Sequence, residues 1–145
     1  MQLSIFTDGG SRGNPGHSAV GGVVFEVSAD GSSATELHTF ANYLGIGTNN
    51  EAEYKAVLHS LEWLVAFESL SAVKAVEWRL DSQLVVNQLS KRWKIKEPRM
   101  AELAEACWKK IASLSVKCSF SYVPRAENKQ ADALVNQALD AHIAE

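Results

Sequence analysis

The order of the strand and helix patterns constrains the fold more than any other feature of this sequence. Three strand patterns come first, and the later strand patterns alternate with helix patterns, which predicts the order β-β-β-α-β-α-α-β-α. We expect the three early strands to pair antiparallel and the later strands to return through helices as parallel neighbours of the first. The sequence therefore predicts an α/β fold with a mixed sheet flanked by helices.

The predicted elements have these boundaries. Strands are expected at residues 3–6, 19–28, 34–44, 73–80 and 116–123, and helices from the Thr48 cap to residue 65, then at 84–89, 99–114 and 131–141. Thr48 followed by Glu51 fits a capping box, which fixes the start of the first helix. The segment 45–47 is expected to end the third strand.

The first strand pattern is expected to stop at Asp8, because Gly9 and Gly10 open a glycine-rich turn. The glycines of this turn remove side chains beside the carboxylate, so the backbone of a bulky polymer can approach closely. Turn chemistry alone also explains an Asp-Gly pair.

A chain of 145 residues with 46% hydrophobic content has the size of one globular domain, so we expect a single domain over residues 1–145. Met1 leads directly into the first strand pattern, which leaves no room for a signal peptide, and no segment approaches the ~18 uncharged apolar residues of a membrane span. We expect a cytoplasmic monomer without membrane contact. The placement of Cys107 and Cys118 favours reduced residues in or near the core over a disulfide framework or a zinc site.

The formal net charge of −3 does not indicate a nucleic-acid-binding protein. Basic residues are nevertheless concentrated in one stretch with Trp93 among them, namely Lys91, Arg92, Lys94, Lys96 and Arg99. This stretch is either a solvated helix end and connection or a surface that follows a phosphate backbone. For Trp93 we expect packing in the core rather than contact with a substrate.

Four carboxylates are predicted to lie inward or at a sheet edge, where a charged group needs a compensating partner. Asp8 and Asp81 each follow a strand pattern, and the carboxyl ends of parallel strands meet at one edge of an α/β sheet. Helical periodicity directs Glu53 and Asp132 inward, although an acidic residue near a helix start also favours the helix dipole. Four clustered anions raise one another's pKa values unless cations hold them together.

Oxygen ligands without His or Cys favour hard cations such as Mg²⁺ or Mn²⁺. Two such ions ~4 Å apart, held by carboxylates, activate water and stabilise the leaving oxygen in phosphodiester hydrolysis. The residues alone therefore point to a metal-dependent nuclease.

Four motifs occur in order along nearly the whole chain. They are residues 7–16 (TDGGSRGNPG), 48–53 (TNNEAE), 81–83 (DSQ) and 128–132 (NKQAD). Together they closely resemble type 1 ribonuclease H. The resemblance implies a five-stranded mixed sheet and endonucleolytic cleavage of the RNA strand in an RNA/DNA hybrid, leaving 5′-phosphate and 3′-hydroxyl ends.

The resemblance also implies residue roles. The catalytic, metal-binding set is Asp8, Glu53, Asp81 and Asp132, with Asp8 bridging two Mg²⁺ ions, Glu53 and Asp81 completing one site and Asp132 the other. The residues that the resemblance places at the hybrid are Asn14, Asn49, Asn50 and Gln83 in the minor groove and Thr48 at a phosphate of the DNA strand. Gly9 is a further candidate for substrate binding, and the basic stretch adds Lys94 and Lys96 as candidates for contact with the phosphate backbone. Amides donate and accept, which suits 2′-hydroxyls and base edges, although capping also explains residues 48–50.

The chain departs from the family pattern in two places. Many members carry a His in the loop before the last Asp, where this chain has Arg125; Arg125 and Asn128 are therefore candidate auxiliary residues. The basic substrate-handling helix of bacterial relatives is reduced to residues 91–99. Both departures resemble the shorter archaeal-type and domain-like branch of the family.

Other functions remain open at the level of sequence. One alternative is a catalytically weak hybrid-binding domain. The four carboxylates argue against it, because clustered anions would repel a nucleic acid that the domain only binds. Another nuclease of the same fold would lack the Thr-Asn-Asn sequence before the helical Glu. A nucleotide-binding loop at residues 9–16 would require a Gly-Lys-Ser/Thr ending. Double-stranded RNA remains a second candidate substrate beside the hybrid.

Overall fold

The computed structural model describes residues 1–144, so Glu145 at the end of the predicted domain lies outside the described residues. The strands are β1 Gln2–Arg12, β2 Gly16–Val27, β3 Ala34–Gly47, β4 Ala75–Leu80 and β5 Lys117–Tyr122. The helices are α1 Asn49–Val65, α2 Gln83–Leu89, α3 Pro98–Ala112 and α4 Lys129–Ala144, with short 3₁₀ turns at Leu70–Ala72 and Arg125–Glu127.

One five-stranded sheet has the order β3-β2-β1-β4-β5. The first three strands pair antiparallel, and β4 pairs parallel with both β1 and β5. The predicted element order and mixed sheet are therefore confirmed. Among residues 1–144 no helix is long and apolar enough to cross a membrane.

The expected end of the first strand at Asp8 is wrong. Strand β1 continues to Arg12 because its second half pairs with β2, from Asp8 opposite Gly21 to Arg12 opposite His17. The parallel pairing of β1 with β4 nevertheless ends at Phe6, opposite Arg79. Asp8 therefore lies just beyond the parallel part of the sheet, at the edge where β4 also ends.

The third strand is also longer than expected. Residues 45–47 do not end β3, because Ile46 and Gly47 still pair with His17 and Gly16 of β2. Gly45 has a φ of +92°, next to a register shift in this pairing, so the strand bends at Gly45 without ending there.

Two glycines let helices pack directly on opposite faces of the sheet. A Cβ at Gly9 would lie 2.2 Å from the backbone carbonyl carbon of Ala52 in α1. A Cβ at Gly21 would lie 2.6 Å from the carbonyl oxygen of Ala131 in α4. The space at Gly9 is thus occupied by α1, so the expectation that the glycines admit the backbone of a polymer is wrong at this position.

Most of the core lies between the sheet and helices α1 to α3. Trp78 of β4 is fully buried there, and its indole N–H donates to Ser60 Oγ of α1 at 2.8 Å. A smaller cluster packs α4 on the other face. Cys107 is buried and Cys118 half-buried, and both are free thiols, as expected.

Trp93 contradicts its expected place in the core. Its side chain lies in the connection between α2 and α3 with 47% of its surface exposed. The neighbouring Trp108 is the indole that contacts α2, since its N–H donates to Leu89 O at 3.0 Å.

Candidate active site

Four different elements bring the predicted carboxylates to one cleft of about 430 Å³. Asp8 lies in β1, Glu53 in α1, Asp81 directly after β4, and Asp132 in the first turn of α4. They meet at this edge because the parallel pairing of β1 with β4 ends just before Asp8, β4 itself ends just before Asp81, and α1 and α4 begin nearby. The structure therefore places all four residues as walls of the same cavity.

The start of α1 is fixed by its cap. Thr48 Oγ1 accepts a hydrogen bond from the N–H of Glu51 at 3.1 Å, and Glu51 Oε1 accepts from the N–H of Thr48 at 3.3 Å. This capping box satisfies two helix N–H groups that would otherwise lack partners. It also sets the rotation of α1 that points Glu53 at the sheet.

Glu53 is only 7% exposed, and the backbone of β1 hydrogen-bonds to it. Its Oε1 accepts from the N–H of Gly9 at 3.1 Å. The other oxygen, Oε2, is buried and has no hydrogen-bond partner within residues 1–144. A buried carboxylate oxygen without a partner is costly, so this atom is suited to a cation or to a proton.

Asp8, Glu53 and Asp81 form the close group. One ligand atom from each of these carboxylates lies within 4.8 Å of the other two. Asp132 lines the same cleft outside this close group, and its Oδ1 lies 3.7 Å from the guanidinium of Arg125. The predicted four-carboxylate site thus has three mutually close ligands, and Asp132 lies near enough to Asp8 to interact with it directly.

Burial and mutual repulsion both raise the pKa values of the close group. The pKa of Asp8 rises to about 7, chiefly through burial and further through the charges of Asp81 and Asp132, while a hydrogen bond with Glu53 lowers it. Burial and the Asp8 charge raise the pKa of Glu53 well above its ordinary value. Burial also raises the pKa of Asp81.

These residues fit a divalent cation. The donor set consists of oxygen atoms only, one of them is a buried oxygen without a partner, and the charges repel one another in the metal-free protein. Hard cations such as Mg²⁺ and Mn²⁺ prefer such oxygen ligands, and a bound cation removes the repulsion.

Two of the predicted hybrid-binding amides connect the turn after β1 to α1. Asn14 Oδ1 accepts from the N–H of Asn49 at 3.1 Å, and Asn49 Oδ1 accepts from the N–H of Ser11 at 2.9 Å. Both carbonyl oxygens are therefore used inside the protein. Both residues are exposed, and the NH₂ group of each amide is the donor that these two contacts leave available.

The remaining predicted contacts lie on the surface around the cleft. Asn50 is exposed in the first turn of α1, and Gln83 is exposed at the first position of α2, directly after the loop that carries Asp81. Lys94 and Lys96 are exposed in the connection between α2 and α3 and do not line the carboxylate cleft. Arg99 is already engaged, in ion pairs with Glu51 and Glu102.

The two auxiliary candidates differ sharply in exposure. The side chain of Arg125 is 82% exposed at the mouth of the cleft. Asn128 is 1% exposed, and its Nδ2 donates to the carbonyl of Thr7 at 2.9 Å. Arg125 is therefore placed to meet a ligand, whereas Asn128 acts inside the protein.

Sequence reasoning missed several residues of the cleft. Arg12 lines it and forms an ion pair with Asp140 of α4 at 2.7 Å, and Tyr122 at the end of β5 lines it with 45% of its surface exposed. The partners of Arg12 are separated from it by more than 120 positions, so no local pattern signals this contact. Only the pairing register of β4 with β5, which places Tyr122 opposite Leu80, indicates that Tyr122 lies at the cleft.

Known proteins resemble this chain over nearly its whole length. A family model described as reverse transcriptase-like matches residues 6–138. The bifunctional protein Rv2228c of Mycobacterium tuberculosis is 42% identical over 144 residues, which cover 97% of this chain and 36% of that protein. A ribonuclease HI of Halobacterium salinarum is 39% identical over 139 residues, which cover 96% of this chain and 65% of that protein.

The chain thus spans between about a third and two thirds of the length of these curated relatives. Among solved structures, LC11-RNase H1 in complex with an RNA/DNA hybrid matches with a TM-score of 0.88 and 36% identity, covering 97% of this chain and 99% of that chain.

Proposed function

Since the chain belongs to the reverse transcriptase-like family, within its type 1 ribonuclease H group, we propose that it is an endoribonuclease that hydrolyses the RNA strand of RNA/DNA hybrids. The products would carry 5′-phosphate and 3′-hydroxyl ends. The observation that carries this proposal is the group of Asp8, Glu53 and Asp81, whose ligand oxygens lie within 4.8 Å of one another in an open cleft.

The proposed cofactor is a pair of Mg²⁺ ions, which Mn²⁺ can replace. Asp8, Glu53 and Asp81 would hold one ion, and Asp8 and Asp132 the other. When bound, such ions lower the pKa of an attacking water and stabilise the charge on the leaving oxygen. The carboxylates of the chain hold the site in place, and Glu53 in particular is fixed by the N–H of Gly9.

Hydrogen-bond donors beside the cleft would select the RNA strand. The NH₂ groups of Asn14 and Asn49 suit the 2′-hydroxyls that distinguish RNA from DNA in a wide minor groove. Asn50 in the first turn of α1 and Gln83 at the start of α2 add two further exposed amides. A substrate without 2′-hydroxyls leaves these donors unpaired.

Phosphate contacts would position the duplex without reading its sequence. We assign the DNA-strand phosphate to Thr48 at the positive end of α1, and the outer backbone to Lys94 and Lys96. Because all four carboxylates come from one chain, we further propose that a monomer is active.

A duplex panel tests this function. RNA/DNA, RNA/RNA and DNA/DNA duplexes of one sequence, each labelled at one 5′ end in turn, are incubated with the protein and Mg²⁺ or Mn²⁺, and the cut strand is mapped. Cuts in the RNA strand of the hybrid, absent with EDTA, are expected. Cuts in the DNA strand, or cleavage of the hybrid in EDTA, would refute the proposal, and cuts in RNA/RNA would widen the substrate class.

A further inference from the structure

Asn128 is a buried amide that touches three of the elements carrying the carboxylates. It immediately precedes α4, and its backbone carbonyl accepts from the N–H of Asp132 at 3.1 Å. Its Nδ2 donates to the carbonyl of Thr7, the residue before Asp8 in β1, across 121 positions of sequence. The same amide donates toward the carboxylate of Asp81 after β4.

The orientation of this amide is forced by what surrounds it. Nδ2 donates to the Thr7 carbonyl at 2.9 Å and lies toward the Asp81 carboxylate, so both of its neighbours are acceptors. Rotating the amide by 180° would place Oδ1 against both acceptors. In the orientation observed, Oδ1 is buried without a hydrogen-bond partner among residues 1–144, a cost that the two donor contacts offset.

The amide NH₂ of Asn128 also lies toward the carboxylate of Asp81, so one buried donor group borders both strand-borne ligands. The contact at Thr7 fixes the backbone that presents Asp8. One side chain therefore ties the two strand-borne ligands to the helix that carries Asp132.

We propose that Asn128 is a positioning residue for the cation site, which holds Asp8, Asp81 and Asp132 at their mutual distances through one buried amide. This inference rests on the proposed function and assigns Asn128 no contact with substrate. Side chains that hydrogen-bond to metal ligands typically change metal affinity 10- to 100-fold when they are replaced.

The test measures the affinity of the protein for Mg²⁺ alone by isothermal titration calorimetry. Asn128→Leu keeps a similar volume and removes both donors, so Mg²⁺ affinity is expected to fall at least about tenfold. Raising Mg²⁺ to saturation should restore part of the cleavage of an RNA/DNA hybrid. In Asn128→Ser a hydroxyl keeps a single donor, and an affinity between those of wild type and Asn128→Leu is expected.

The matched control is Gln88→Leu. Gln88 is also a buried amide, 3% exposed, and its Oε1 accepts from the hydroxyl of Tyr54 at 2.6 Å in the core away from the cleft. Both leucine variants should lose stability in EDTA, because each removes a buried hydrogen bond. Only Asn128→Leu should lose Mg²⁺ affinity, and Gln88→Leu should bind Mg²⁺ within twofold of wild type.

The results separate this role from the proposed function. Mg²⁺ affinity within twofold of wild type in Asn128→Leu overturns the role of Asn128; if that variant does not fold, the same result in Asn128→Ser does so. An equal loss of affinity in Gln88→Leu also overturns it, because the effect would then follow stability. Wild-type protein that fails to bind Mg²⁺ overturns the proposed function as well.

Discussion

Replacing Asp8 by Asn should stabilise the metal-free protein at neutral and alkaline pH. Asp8 is 6% exposed, and burial together with the charges of Asp81 and Asp132 raises its pKa from 3.8 to about 7. Between these two values the folded protein binds a proton that the unfolded chain has lost. The stability contributed at this position therefore falls as pH rises from about 4 to about 7 and then levels off.

The size of the effect follows from the shift. Above pH 7 the folded protein must keep Asp8 ionised although its pKa is raised by about three units. At ~1.4 kcal/mol per unit, this costs ~4 kcal/mol of folding free energy. Asparagine has nearly the same shape without the charge, and its NH₂ group can donate to Glu53. We expect Asp8→Asn to gain up to ~4 kcal/mol at pH 8 and close to nothing at pH 3.5.

Urea denaturation in EDTA, followed by circular dichroism at several pH values, measures this gain. Glu62→Gln is the matched control, since Glu62 is an exposed carboxylate on the same helix as Glu53, and its effect should stay within ~0.5 kcal/mol. No gain for Asp8→Asn at pH 8, or an equal gain at pH 3.5 and pH 8, would refute the electrostatic account of the close group. Saturating Mg²⁺ should remove the advantage of the variant by stabilising the wild type.

Two further predictions concern packing and substrate binding. Gly21→Ala should cost roughly 1–3 kcal/mol, because its Cβ would lie 2.6 Å from the carbonyl oxygen of Ala131, and a loss under ~0.5 kcal/mol in urea denaturation would contradict this packing. Lys94→Ala/Lys96→Ala, in a catalytically inactive Asp81→Asn background, should weaken hybrid binding for every sequence and flatten the salt dependence by roughly one counterion per lost contact. An unchanged slope in a fluorescence anisotropy titration would remove these lysines from the binding surface.

Features fixed by local physics could be predicted from the sequence. The capping box at Thr48 involves residues three positions apart, and the helical period places Glu53 inward from its own neighbours, so both were predicted and both occur. The antiparallel pairing of the first three strands and the parallel pairing of the later ones followed from the order of the elements and the rules for connecting them.

Features that depend on distant partners could not be predicted in this way. The extension of β1 past Asp8 comes from pairing with β2. A glycine is required at position 9 because the backbone of α1 leaves no room for a side chain there. Spacing placed Asp132 on the cleft side but carried no information about its distance from the other carboxylates. The exposure of Trp93 likewise depends on the path of a connection that has no periodic pattern.

Single-turnover cleavage of a labelled RNA/DNA hybrid by wild type and Asp81→Asn, with hybrid binding measured on the same samples, tests the central claim most directly. Asp81 supplies one ligand oxygen of the close group directly after β4, and an amide keeps its shape while removing the charge that a cation needs. We predict that the variant folds and binds the hybrid within a few-fold of wild type, yet cleaves it at least ~100-fold more slowly in Mg²⁺. Near-normal cleavage by Asp81→Asn would contradict the assignment of these carboxylates as the catalytic metal site.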